Sequence, residues 1–92
     1  MENSKSNGNI KRRRPRRKRY TIHILNDDIN SFQYVIETLK TTIPMCNYLQ
    51  AEQMAMLIHE GGSCDVYSGF TPEVYIIYAQ LQKSGLSVQI KQ

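Results

Sequence analysis

Nine of the twelve Lys and Arg residues fall within the first nineteen positions, most densely from Lys11 to Arg19 (KRRRPRRKR), with one acid, Glu2, beside them. Only one aliphatic residue, Ile10, accompanies them beyond Met1. Such a stretch cannot bury enough apolar surface to offset the entropy lost on ordering. Residues 1–19 are therefore expected to be a disordered basic arm, which confines folding to residues 20–92. About seventy residues form one domain that buries only ~60% of its unfolded surface, so its core must be thin. That remainder carries three basic and seven acidic residues. The high pI belongs to the arm, and a partner chosen for acidity can only be a partner of the arm.

The apolar pattern after Tyr20 changes period several times. Tyr20, Ile22 and Ile24 alternate with Thr21 and His23, a half-buried strand with His23 on its polar face. Asn26-Asp27-Asp28 ends it with turn-forming side chains, and Asn30 or Ser31 can cap a helix whose buried face is Phe32, Val35, Ile36 and Leu39. Pro44 closes that helix. Asn47 with Gln50 forms a capping-box pattern before a second helix with Ala51, Met54, Ala55 and Ile58 in line. Met56 and Leu57 widen that stripe, so this helix is expected to be buried on much of its circumference. Gly61-Gly62 stops it. Cys64, Val66 and Ser68 lie on one side of a second strand that Gly69 ends. Thr71-Pro72-Glu73 reads as cap, first-position proline and first-turn acid of a third helix, with Val74, Ile77, Tyr78 and Leu81 inward. After Ser84-Gly85, Leu86, Val88 and Ile90 alternate as a third strand. The order β-α-α-β-α-β predicts an α+β two-layer sandwich: a three-stranded antiparallel sheet with three helices on one face.

Several classes of chemistry find no support. There is no phosphate-cradling glycine loop and no nucleophile motif. His23, His59, Cys46 and Cys64 lack metal-ligand spacing, so no metal and no cofactor is expected. The two cysteines suit buried free thiols in a reducing compartment. No apolar run approaches the ~20 residues that span a bilayer, and no apolar stretch follows the basic one as a secretory signal requires. The chain is read as a soluble, monomeric, non-enzymatic cytoplasmic protein. Two features remain open. Asn26, Asp27 and Asp28 suit helix capping, and equally suit an ammonium that donates three hydrogen bonds. His59, near a helix C-terminus, is either a favourably placed cation or a neutral imidazole accepting from the same ammonium.

Together these residues carry a resemblance. Tyr20 to Asp28 (YTIHILNDD), Phe32 to Val35, Met56-Leu57-Ile58-His59-x-x-Gly62 and Gly69-x-Thr71-x-Glu73 resemble the ClpS adaptors, over essentially residues 20–92. The resemblance implies an adaptor that binds proteins with a free, bulky hydrophobic N-terminal residue (an N-degron) and delivers them to a Clp AAA+ unfoldase such as ClpA. It implies that Asn26, Asp27 and His59 contact the α-amino group, with Asp28 and Asn30 near the peptide's start. It implies a hydrophobic pocket of Phe32, Val35, Ala55, Ile58 and Leu86, in which Phe32 and Ala55 both replace the family's methionine. Glu73 matches an acid that docks the unfoldase's N-terminal domain. The competing reading is a nucleic-acid-binding protein acting through Lys11–Arg19, although that run offers no interleaved aromatic on which a base could stack.

Overall fold

The structure, a computed structural model, describes residues 17–92. Strand β1 (Arg19–Leu25) leads to helices α1 (Phe32–Thr42) and α2 (Tyr48–Gly61), then β2 (Ser63–Phe70), α3 (Glu73–Lys83) and β3 (Ser87–Lys91). The sheet order is β2-β1-β3, with both pairings antiparallel. The most regular strand pattern in the sequence thus becomes the central strand. Ile22 and Ile24, 0% and 1% exposed, join Ile36, Leu39, Val74 and Leu81 in one core between the sheet and the helices.

The opposite face of the sheet is polar. There His23 Nδ1 lies 2.6 Å from Asp65 Oδ1, and Lys91 Nζ lies 3.6 Å from the same oxygen. The hydrogen bond to His23 holds Asp65 below the usual carboxylate range. The β1–β2 register shifts between Ile22 and His23, with Val66 as the extra residue. This bulge keeps Val66 buried while Asp65 stays opposite His23.

The helix boundaries follow local chemistry. Ser31, not Asn30, caps α1: its Oγ accepts from the Tyr34 amide at 3.1 Å. The Asn47–Gln50 box closes in both directions at 2.8 and 3.0 Å. Gly62, at φ +95°, adopts the left-handed conformation that ends α2.

Four expectations are corrected. Gly69 does not end the second strand, which continues to Phe70 with Gly69 paired to Tyr20. A β-carbon there would stand 2.9 Å from the Tyr67 ring, so the glycine makes room for an aromatic rather than a turn. Thr71 does not cap α3, because Pro72 occupies the cap position and no side chain accepts from the first turn. Met56 and Leu57 are 46% and 57% exposed. Helix α2 is covered on one side only, through Ala51, Ala55 and Ile58, and its outer face remains apolar and open. Cys46 and Cys64 are free thiols but only half-buried, and that burial pushes both thiols up in pKa.

The arm was expected to run to Arg19. Residues 1–16 lie outside the described residues, but Arg17–Arg19 belong to the domain. Arg19 pairs with Phe70 as the first residue of β1. The guanidinium groups of Arg17 and Arg19 lie 5.2 and 5.5 Å from the centre of the Phe70 ring. Arg17 also donates to the Thr71 carbonyl at 2.9 Å and to Glu73 Oε1 at 3.4 Å. Cation–π attraction holds these residues in place, which a reading of charge density alone misses.

Candidate functional site

Three chain reversals meet at one end of the sheet. The turn after β1 is tied to the end of α2 by the Asn26 amide, which donates to the Gly62 carbonyl at 2.9 Å. It is tied to the α3–β3 connection by Asn30, whose Nδ2 donates to the Gly85 carbonyl at 3.0 Å, and by Asp27, which accepts from Ser87 Oγ at 2.8 Å. Tyr34 of α1 reaches the same connection, donating to the Ser84 carbonyl at 2.6 Å. Asn26, Asp27, Asp28, Asn30 and Leu86, scattered over sixty residues of sequence, are thereby gathered into one region, with His59 one turn from the Gly62 anchor.

The two adjacent acids stand in different surroundings. Asp27 Oδ1 accepts from the amides of Ile29 and Asn30, both at 2.9 Å. Its Oδ2 accepts from Asn30 Nδ2 at 2.9 Å and from Ser87 Oγ. A carboxylate has about four acceptor sites, and all are used. The Asn30 amide above all, with the Ser87 hydroxyl, the Asn30 side chain and the Ile29 amide, pulls the Asp27 carboxyl down to about 2 against an upward push from burial. Asp28 is exposed, and among the described residues its carboxylate accepts no hydrogen bond. Asn26 and His59 are exposed as well. Among the described residues the side chains of Asn26, Asp28 and His59 and the Oδ1 of Asn30 accept no hydrogen bond, while both oxygens of Asp27 are engaged in its own turn and by Ser87.

His59 touches Phe32: their rings meet edge to face with centroids 5.9 Å apart. Phe32 is half-buried and packs on the core. Val35, Ala55, Ile58 and Leu86 are 8%, 1%, 3% and 6% exposed. The five residues expected to form a pocket are therefore contiguous with the core. A groove of about 420 Å³ opens elsewhere, between α2 and β2, lined by Ile43, Met45, Cys46, Met54, Leu57 and Val66. Glu73 stands in the first turn of α3, exposed and paired with Arg17.

Sequence reasoning missed the supports: Ser87, Tyr34 and the carbonyls of Gly62, Ser84 and Gly85. Each works through a contact with a distant segment, and no local pattern signals it. Among the described residues, no three His, Cys, Asp or Glu side chains stand close enough to hold a metal ion. No described helix is long and apolar enough to cross a membrane.

Geometry and topology define a small α/β domain in which the turn after β1, the end of α2 and the start of β3 meet at one end of the sheet. A family model described as "ATP-dependent Clp protease adaptor protein ClpS" matches residues 15–88. The chain is 32% identical over 69 residues to the "ATP-dependent Clp protease adapter protein ClpS" of Nostoc sp., covering 75% of this chain and 71% of that one. It is 30% identical over 69 residues to the protein of the same name from Thermosynechococcus vestitus, covering 75% and 73%. Among solved structures, Agrobacterium tumefaciens ClpS2 bound to L-phenylalaninamide superposes with a TM-score of 0.68 at 21% identity, covering 83% of this chain and 98% of that one. The chain belongs to the ClpS family of Clp protease adaptors. The competing nucleic-acid reading gains nothing at Arg17 and Arg19, whose guanidinium groups are engaged by Phe70.

Proposed function

We propose that this protein binds polypeptides by a free amino terminus with a bulky hydrophobic first side chain, and delivers them to the AAA+ unfoldase of a bacterial Clp protease. The observation that carries the proposal is the Asn26–Gly62 bond, which joins the Asn26–Asp28 turn to the end of α2 that bears His59, beside the buried Val35, Ala55, Ile58 and Leu86. An ammonium donates three hydrogen bonds, and the side chains of Asn26, Asp28 and His59 offer three acceptors. Desolvating an ammonium is tolerated only when its donors are matched. An apolar first side chain can add ~1.5–3 kcal/mol when it leaves water. The relative from A. tumefaciens, bound to L-phenylalaninamide, supports a ligand with a free amine and an apolar side chain.

In this reading Asp27 acts by ordering the turn, and Asn30 fixes its far side against Gly85. Phe32, Val35, Ala55, Ile58 and Leu86 receive the first side chain. Glu73, exposed on α3 with Tyr75 and Ile76 near it, is the residue proposed to face the unfoldase's N-terminal domain.

The test uses a peptide beginning with Phe and its N-acetylated twin, each titrated against the full chain by fluorescence anisotropy. The free peptide is expected to bind and the acetylated one to lose at least about a hundredfold, the effect of leaving unmatched the acceptors that a bound peptide covers. Equal binding of the two would sink the reading.

A further inference from the structure

Helix α2 carries more apolar surface than the fold uses. Leu49, Gln53, Met56, Leu57 and Glu60 recur at helical spacing along its outer side, away from the buried Ala51, Ala55 and Ile58. Leu49 is 60% exposed, and Met56 and Leu57 stand open beside it. The groove between α2 and β2 lies along one flank of this stripe. A second hollow, of about 600 Å³, is bounded by Gln53, Met56, Leu57, Glu60 and Gly61. The two share Gln53 and Leu57, which form the ridge between them. Met45, on the lip of the groove, is 98% exposed and sits at φ +60°. Left-handed backbone is disfavoured for a residue with a β-carbon, and here it holds a flexible, adaptable apolar side chain in solvent.

Charge decides what fits there. Glu60 is the one charged side chain among the residues that line the two hollows. The carbonyl end of α2 beside it adds negative partial charge. Helix α2 holds a second acid, Glu52, and no Lys or Arg. A twofold contact between two copies through this face sets α2 against α2 and offers Glu60 no cation. An anionic lipid surface draws amphipathic helices rich in Lys and Arg, and this one carries acids. We infer that the outer face of α2 docks an amphipathic helix of another protein, with aliphatic side chains seated in the hollows on either side of Leu57 and a Lys or Arg opposite Glu60. The inference does not rest on the amino-terminus reading, because none of these residues is among those proposed to receive a peptide's amino group or first side chain.

The probe is a helical peptide of about eighteen residues, long enough to run the length of α2, with leucines at i, i+3, i+4 and i+7 and lysines on both flanks. Its twin carries glutamate at every lysine position. Both are N-acetylated, so a site for a free amino terminus takes neither. Each is titrated into the full chain, and binding is read from the methyl resonances of Met45, Met56 and Leu57, where contact of the acidic twin with the basic arm does not register. The lysine peptide is expected to bind this face about three- to tenfold more tightly than its twin. Leu57→Asp is expected to weaken it at least about tenfold, with the thermal midpoint and the affinity for a Phe-initiated peptide unchanged. Glu60→Lys is expected to reverse the preference between the twins, whereas Asp65→Asn, on the far face of the sheet, leaves it as it was. Equal binding of the twins, shifts confined to other resonances, or indifference to Leu57→Asp overturns the inference. Resonances of this face that move when the chain alone is concentrated assign it to a second copy and overturn the inference as well.

Discussion

Asp27 and Asp28 are neighbours with the same side chain, and their surroundings divide the work between them. Asp27 gives both oxygens to its own turn and to Ser87, whereas Asp28 leaves its carboxylate to solvent. Asp27→Ala is expected to cost about 1–2 kcal/mol, the loss of charge-assisted bonds at a partly exposed site, read as a thermal midpoint lower by several degrees. It weakens peptide binding through the loosened turn. Asp28→Ala is expected to weaken binding with the midpoint unchanged; a shift as large as that of Asp27→Ala would refute the division. Acid provides an independent check. The Asp27 carboxyl, held at about 2 in the folded state against 3.8 in the open chain, contributes stability that is complete above about pH 4. That contribution disappears as the pH falls towards 2. Loss of the Asp27 carboxyl should abolish this part of the acid sensitivity, measured as the pH dependence of the urea midpoint. The sequence made the turn legible, since Asn-Asp-Asp reads as a turn and a cation site alike. It did not reveal which acid anchors the turn, because the deciding partner, Ser87, lies sixty residues away.

At the scale of elements, the parts that were legible depend on local chemistry. The Asn47–Gln50 box, the Gly62 stop and the period-two run through Ile22 and Ile24 each complete within a few residues, and each stands where the spacing places it. The parts that were not legible depend on what lies across the interface. Gly69 reads as a strand end until the Tyr67 ring is seen above it. Met56 and Leu57 read as core until α2 is found to be covered on one side. Gly62 links this scale to the site, because the same residue that ends α2 in left-handed backbone also accepts from the Asn26 amide. Gly62→Ala meets no side chain within 4 Å, so its cost is conformational, about 1 kcal/mol. Urea denaturation is expected to show this loss together with weaker peptide binding, since the displaced carbonyl carries Asn26 with it. Stability lost with affinity unchanged would mean that the Asn26–Gly62 bond does not position the site.

The whole molecule is polarised along β1. At one end of this seven-residue strand stands the Asn26–Asp28 turn. At the other, Arg17 and Arg19 hold Phe70, and Arg17 reaches Glu73. The strand spans roughly 20 Å at ~3.3 Å per residue, beyond a Debye length of ~8 Å at physiological salt. Charge at the arm's root is thus screened from the Asn26–Asp28 turn, and the proposed recognition of an amino terminus and any role of the basic residues separate along the sheet. Truncation tests this separation at the boundary that the structure draws, two residues before β1. Removing residues 1–16 leaves every core residue, the Phe70 clamp and the central strand in place, so thermal midpoint and peptide affinity are both expected to match the full chain at 0.15 M salt. Removing residues 1–19 takes away the first rung of β1 against Phe70 together with both guanidinium contacts on its ring. These are worth ~0.5–1 kcal/mol each at an exposed site, so the midpoint is expected to fall by several degrees while discrimination between free and acetylated peptides persists. A peptide affinity that falls with residues 1–16 alone would place the arm at the site and break the polarity on which this separation depends.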